Sequence, residues 1–455
     1  MSLFSNTQQN QRISSGGSID RSSTINFKFD GKPLTGYRGD TLASALLANN
    51  IKLVARSFKY HRPRGIFSAG AEEPNALVTL RTGSREEPNT RATNIELFEG
   101  LEAKSQNRWP NLFFDFMQIN NLASPLLTAG FYYKTFMGIP GWHFYEHFIR
   151  KAAGMGSTNL AKDPDTYDKK HAFCDVLIIG AGPSGLSAAL TAGRAGARVI
   201  LIESAKSLGG QLAWELDEIN DALPAKWINS VGDELNDLDN VSVLKRTTAF
   251  GYYDSNVVNA IENVSDHLSV PAPFTVRQRL WQIRAEKVLI ATGATERPLV
   301  FANNDRPGVI LASAARRYVN QYAVKPGNRA VIFANNDDGY KTAINLFKKG
   351  IDIQAVVDSR INVNNFWKNK LEEANIELIS GSAVVNTHGF FALNGVDDAP
   401  INLDGKYING QSRFISADLL AISGGWSPNV HLYCHAGGKP QYEPSIAAFV
   451  PGQKA

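Results

Sequence analysis

The stretch Asp175–Glu203, DVLIIGAGPSGLSAALTAGRAGARVILIE, decides the fold. An apolar run enters Gly180-x-Gly182-x-x-Gly185, a small-residue helix follows, and a second apolar run closes on an acid. Gly180 permits a tight turn, Gly182 lets the backbone approach a pyrophosphate, and Gly185 lets helix and strand pack closely. Pro183 and Ser184 open a helix whose N-terminus offers N–H groups and a positive dipole end to phosphates. Glu203, followed by Ser204, suits a ribose diol and repels a 2′-phosphate. The stretch reads as a dinucleotide-binding βαβ unit, and the motif alone does not separate FAD from NAD.

Composition sets bounds. A chain of 455 residues holds roughly two to four domains, each with its own core. A net charge of +4 gives no case for a nucleic-acid partner. The two cysteines, Cys174 and Cys434, exclude a disulfide framework and suit a reducing cytoplasm. They also exclude CxxC redox chemistry. His431, Cys434 and His435 lie too close along the chain for a structural zinc site, so no metal is expected. The polar N-terminus has no signal-peptide core, and no apolar run is long enough to span a membrane.

Outward from the glycine turn, the chain divides as follows. Residues 1–20 are polar and read as a disordered tail. Residues 21–100 read as a β-grasp domain: a hairpin about Asp30-Gly31, a helix TLASALLANN capped by Asp40, and a strand around Ala76–Arg81. It contains no cysteine, so no cluster can be held there by thiolates. The basic loop Arg56–Arg64 is either a docking loop or a solvated turn whose arginines pair with nearby acids. Residues 101–170 form an aromatic-rich helical connector, with twelve of the 45 aromatics between Trp109 and Phe148. These either clamp a neighbour or fill a core.

Residues 171–304 and 401–455 make the dinucleotide-binding domain. Gly209, Gly210, Gln211 and Leu212 form a turn beside the nucleotide, and Thr292-Gly293 a small-residue strand exit. Residues 305–400 form an inserted Rossmann-like domain. There, Asn335 and Asp337 in FANNDDGYKTA take the places of two phosphate-loop glycines, which argues against nucleotide binding. The fold class is therefore α/β: a Rossmann-like dinucleotide-binding domain interrupted by a smaller α/β domain and preceded by a β-grasp domain.

The segments SFKYHRPRGIFSAGAEEPNALV, DVLIIGAGPSGLSAA, LGGQL, ATGATERP and SGGWSPNVHL, in this order, resemble the α subunit of heterotetrameric sarcosine oxidases, and parts are shared with opine and hydrogen-cyanide-forming dehydrogenases. The resemblance implies a cluster-free, ferredoxin-like first domain. It implies NAD at Gly180, Gly182, Gly185 and Glu203, FAD in a flavin-carrying β subunit, and FMN at the interface. It further implies oxidative demethylation of sarcosine to glycine, with O₂ as acceptor, in a hetero-oligomer. Catalytic residues are not identifiable in this chain. The family's α subunit is about twice as long, so the sequence reads as truncated, with folate binding only if a separate C-terminal domain is present. Two alternatives remain: a stand-alone FAD- and NAD(P)H-dependent oxidoreductase, and a non-catalytic nucleotide-binding scaffold.

Overall fold

The computed structural model describes residues 9–125, 130, 136, 138–153, 156, 158–219, 221–402 and 404–452. They fall into two compact units, Met1–Asp163 with Pro298–Gly424, and Pro164–Arg297 with Gly425–Ala455.

The second unit is built on a six-stranded sheet. Its order is Val241–Leu244, Val199–Ile202, Tyr167–Ile179, Gln278–Ile290, Val257–Asn263 and Thr247–Tyr253. The first four run parallel, Val257–Asn263 runs antiparallel to the fourth, and Thr247–Tyr253 runs antiparallel to Val257–Asn263. All four residues of Val199–Ile202 are buried, as a parallel strand covered on both faces requires. The helix Pro183–Arg194 packs Leu186 and Ala189 with Ile178 and Leu201, and Leu235 of the helix Pro224–Asp237 joins them.

The first unit contains the β-grasp sheet, ordered Lys32–Arg38, Asp20–Phe29, Leu101–Ser105, Leu77–Leu80 and Glu87–Arg91. Leu101–Ser105 is therefore a strand of this sheet and not the start of a connector, because Leu101 and Ala103 are buried against Phe27 and Phe29. All seven residues of the helix Leu42–Ala48 are buried. Its cap is Thr41, whose hydroxyl accepts the Ser44 N–H at 3.2 Å, while the Ser44 hydroxyl accepts the Thr41 N–H at 2.9 Å.

Asp40, expected to cap that helix, is instead the anchor of the N-terminal segment. Its carboxylate accepts the two Nη groups of Arg12 at 3.0 and 2.6 Å and the Ser44 hydroxyl at 2.7 Å. Arg12 also donates to the Tyr322 carbonyl, and the Ile13 N–H to that of Ala323. The expectation of disorder over residues 1–20 is thus corrected for residues 9–20; residues 1–8 lie outside the described ones.

The inserted domain is built on an all-parallel sheet ordered Val309–Leu311, Leu419–Ser423, Arg329–Ala334, Asp352–Asp358 and Leu378–Ser380, with a three-stranded antiparallel sheet, Ser382–His388, Gly395–Pro400 and Arg413–Ser416, beside it in sequence. Leu419–Ser423 is wholly buried between two of its strands. The expected return at residue 401 is therefore wrong: the chain re-enters the dinucleotide unit at Gly425 and leaves it after Arg297. A single apolar core runs through the β-grasp and inserted sheets, from Phe27 and Leu46 to Val331 and Leu420.

The basic loop resolves toward internal pairing. Arg56, 1% exposed, donates to the Leu112 carbonyl at 2.9 and 2.7 Å. His61 Nδ1 sits 2.6 Å from the buried Asp115 carboxylate, and Arg62 and Arg64 both pair with Asp305. Among the described aromatics, Trp109, Phe113, Phe114 and Phe116 are more than half exposed, so they do not fill a core within this chain. Phe131, Tyr132 and Tyr133 lie outside the described residues.

Candidate functional site

The glycine turn sits at the carboxyl end of a central parallel strand, where ligands of open α/β sheets bind. Gly180 has φ +103°, and a Cβ there would lie 2.4 Å from the Ala291 carbonyl oxygen. A Cβ on Gly185 would lie 1.8 Å from the Gly180 carbonyl oxygen, so only glycine lets the helix come this close. Gly182 behaves differently: a Cβ on it would meet nothing within 4 Å. It is the N-cap of Pro183–Arg194, with no side-chain cap and no acid in the first turn. The helix mouth is open and electropositive, as a diphosphate requires.

The other expected residues converge on this mouth. Glu203 is buried, and its Oε2 accepts the Ala181 N–H at 2.8 Å. Oε1 accepts the Ala205 N–H at 2.8 Å and the exposed Ser204 hydroxyl at 3.2 Å. The acid is thus clamped to the glycine loop by backbone N–H groups on both of its oxygens. The Gly209 N–H donates to the Ala181 carbonyl at 2.8 Å. Gly210, at φ +54°, comes so near that its Cβ would be 3.0 Å from the Gly182 Cα. Gln211 and Leu212 lie in the 3₁₀ turn Gly210–Trp214, with Gln211 Nε2 3.5 Å from the Ala294 carbonyl. Pro183 and Ser184 are exposed at the helix start.

Thr292 and Gly293 follow the strand Gln278–Ile290, and Gly293 has φ +65°. Asn429, not picked out from the sequence, holds this exit. Its Nδ2 donates to the Thr292 carbonyl at 2.9 Å, and its Oδ1 accepts the Thr295 hydroxyl at 2.9 Å. The strand just before it, Trp426–Pro428, pairs antiparallel with Ala294–Glu296. The SPN run in SGGWSPNV was the available signal.

Glu203→Gln tests the clamp. An amide must turn its NH₂ toward either the Ala181 or the Ala205 N–H, leaving one buried donor unpaired at about 1–3 kcal/mol. The expected result is a melting midpoint lower by a few degrees and nucleotide binding weakened about tenfold or more, read by calorimetry and ligand titration.

In the inserted domain the corresponding turn is filled. A Cβ on Gly339 would lie 2.4 Å from the Ala334 Cβ, repeating the five-residue step from Gly180 to Gly185. The places of the first two glycines thus fall to Ala334 and Asn336, one residue before the expected Asn335 and Asp337. Asn336 Nδ2 donates to the Ser423 carbonyl at 3.0 Å, and Oδ1 accepts the Asp338 N–H at 3.0 Å. Asp358, in the position of Glu203, is fully buried, accepts the Tyr340 hydroxyl, and pairs with Arg360 at 2.8 Å. Burial and the Asp358 hydrogen bond push the Tyr340 phenol upward, keeping its proton in place. No ribose can displace these partners without leaving them unpaired.

Cys174 is buried and its thiol is pushed up to about 11 by burial, whereas Cys434 is exposed. Among the described residues, no group of three or more His, Cys, Asp or Glu is arranged to hold a metal, and no helix is long and apolar enough to cross a membrane.

Comparison with known proteins adds the following. Residues 22–108 match the family described as 2Fe-2S iron-sulfur cluster binding domain, and residues 175–247 match FAD dependent oxidoreductase. Sarcosine oxidase subunit alpha of Rhizobium meliloti (strain 1021) is 51% identical over 97% of this chain and 44% of its own length. Its counterpart from Corynebacterium sp. (strain U-96) is 35% identical over 97% of this chain and 42% of its own length. The chain therefore spans less than half the length of these curated relatives. Among solved structures, L-proline dehydrogenase from P. horikoshii superposes with a TM-score of 0.61 at 21% identity, covering 96% of this chain and 66% of that one; the likeness is one of fold.

Proposed function

The chain is a sarcosine oxidase alpha-subunit-like protein, alike to those subunits along 97% of its length, and we propose that it is the nucleotide-carrying subunit of a flavin-dependent amine oxidase complex. The observation that supports this reading is the uncapped glycine mouth at Gly182, with the Glu203 carboxylate clamped beside it. In this reading the diphosphate of NAD rests on Gly180, Gly182 and Gly185, with Glu203 on the adenosine ribose. Ser204, Gly209, Gly210, Gln211, Leu212, Thr292 and Gly293 enclose it.

The substrate class we propose is a small secondary amine, sarcosine foremost, demethylated to glycine with O₂ as acceptor. A bound flavin supplies the hydride acceptor for that oxidation, with FAD in a partner β subunit and FMN shared with it. The described residues of this chain bind and orient. Beside the mouth they offer no acid–base pair of their own, and both Glu203 oxygens already accept backbone N–H groups.

A second reading places FAD in the same mouth. The match of residues 175–247 to FAD dependent oxidoreductases favours it, since this span carries the whole glycine turn and Glu203. One experiment separates the two: heat-denature the purified protein, alone and co-expressed with a candidate β subunit, and weigh the released small molecule. NAD is the expected result. FAD selects the second reading, and release of nothing, with no thermal shift on adding either, overturns both.

A further inference from the structure

The match of residues 22–108 to a 2Fe–2S cluster-binding domain can be set against the donors the chain places there. Plant-type clusters are held by thiolates spaced C-x₄-C-x₂-C, with a fourth cysteine further on. On the segment between Ile66 and Leu77 that spacing falls on Ser68, Glu73 and Ala76, all buried. Thr93 meets the same loop, its buried hydroxyl donating to the Gly70 carbonyl at 2.7 Å. None of the four is a cysteine, and none of the chain's two cysteines lies within residues 22–108. The donor set does not fit an iron–sulfur cluster.

Glu73 fills the loop instead. Its Oε2 accepts the N–H groups of Phe67 and Ser68 at 2.9 and 2.7 Å, and its Oε1 those of Asn75 and Ala76 at 2.8 and 3.0 Å. Two of these four amides belong to the flanking ligand positions. A thiolate-ligated cluster is an anion whose sulfurs take hydrogen bonds from the surrounding loop. A carboxylate presents the same converging amides with a negative acceptor of two oxygens. The Ser68 hydroxyl, at the first ligand position, is buried without a hydrogen-bond partner, as a side chain would be in a setting shaped around another donor.

We propose that residues 67–76 are the ligand loop of a 2Fe–2S fold in which the Glu73 carboxylate occupies the place of the anionic cluster. The β-grasp domain then keeps its shape and carries no electrons. The proposal goes beyond the nucleotide reading and is independent of it, because the residues of that site lie in the other unit.

Burial pushes the Glu73 carboxyl upward against the pull of its four amides, yet a hydrogen on either oxygen would point into N–H donors. Glu73→Gln, in the full chain, forces that arrangement. Its melting midpoint should fall by about 5 °C, whereas Glu72→Gln, on the exposed neighbour, should melt with the parent.

A second arm tests the ligand positions with the variant Ser68→Cys, Glu73→Cys, Ala76→Cys, Thr93→Cys. After anaerobic incubation with ferric iron and sulfide it should hold about two irons per chain with visible absorption, while the parent holds none. The proposal is overturned if Glu73→Gln melts with the parent, if the parent takes up two irons under the same treatment, or if the folded quadruple variant takes up none. Should the quadruple variant not fold, the Glu73→Gln midpoint and the parent's iron content decide.

Discussion

Gly182→Asp is expected to abolish nucleotide retention without lowering the melting midpoint. The position has extended backbone, φ −71° and ψ −178°, and open space where a Cβ would go, so an aspartate enters without strain. Aspartate is also a strong N-cap residue, accepting an N–H of the first helical turn that no side chain now caps. The same carboxylate stands where a diphosphate would lie. Two like charges about 4 Å apart repel by about 4 kcal/mol at the effective dielectric of a protein surface, which is on the order of a thousand-fold in affinity. Binding and stability thus move in opposite directions, and calorimetry beside nucleotide titration separates them. A variant that still co-purifies with its nucleotide would show that the phosphates sit elsewhere.

The largest effect on stability is expected at Asp40. Its carboxylate accepts two hydrogen bonds from Arg12, one from the Ser44 hydroxyl and one from the Tyr37 N–H, and the Arg12 and Asp40 side chains are 5% and 0% exposed. Asp40→Ala leaves a buried guanidinium without its counter-charge, a loss of about 3–5 kcal/mol. The melting midpoint should drop by about 10 °C. Because Arg12 also ties the segment to Tyr322 and lies beside the Ile13–Ala323 hydrogen bond, residues 9–19 should become rapidly exchanging in amide hydrogen exchange. An unchanged exchange profile would mean the segment is held by its backbone alone. Arg12→Ala in the Asp40→Ala background should restore part of the loss, since it removes the stranded charge.

What the amino-acid order revealed was what local chemistry writes into it. The strand, glycine turn, helix and acid from Asp175 to Glu203 are legible because they follow one another within 29 residues, and the contact of Gly185 over Gly180 is made within that span. Long-range pairings were not. Residues 9–20 look like a polar tail until Arg12 meets Asp40, 28 positions later. Asp40 itself sits one place before the true cap, and two adjacent candidates, Asp40 and Thr41, cannot be ranked without knowing which one a distant arginine claims. The return at residue 401 falls too early because a buried parallel strand such as Leu419–Ser423 carries no mark of which sheet receives it. Glu73 went unnoticed for the same reason: one acid in GAEEPNA looks solvated, and only the folded loop turns four amides toward it. Asn429 was hidden by distance, 137 residues from the threonine whose carbonyl it holds.

The antiparallel pair Ala294–Glu296 with Trp426–Pro428 has a modular consequence. Glu296 and Trp426 face each other across that ladder, so both points where the chain departs from and rejoins the dinucleotide unit are neighbours. A two-residue hairpin turn is long enough to splice them. The intervening 127 positions, Pro298–Gly424, and the whole amino-terminal portion are therefore detachable cargo on a self-closing cassette, which natural recombination or a protein engineer can transplant by one short suture.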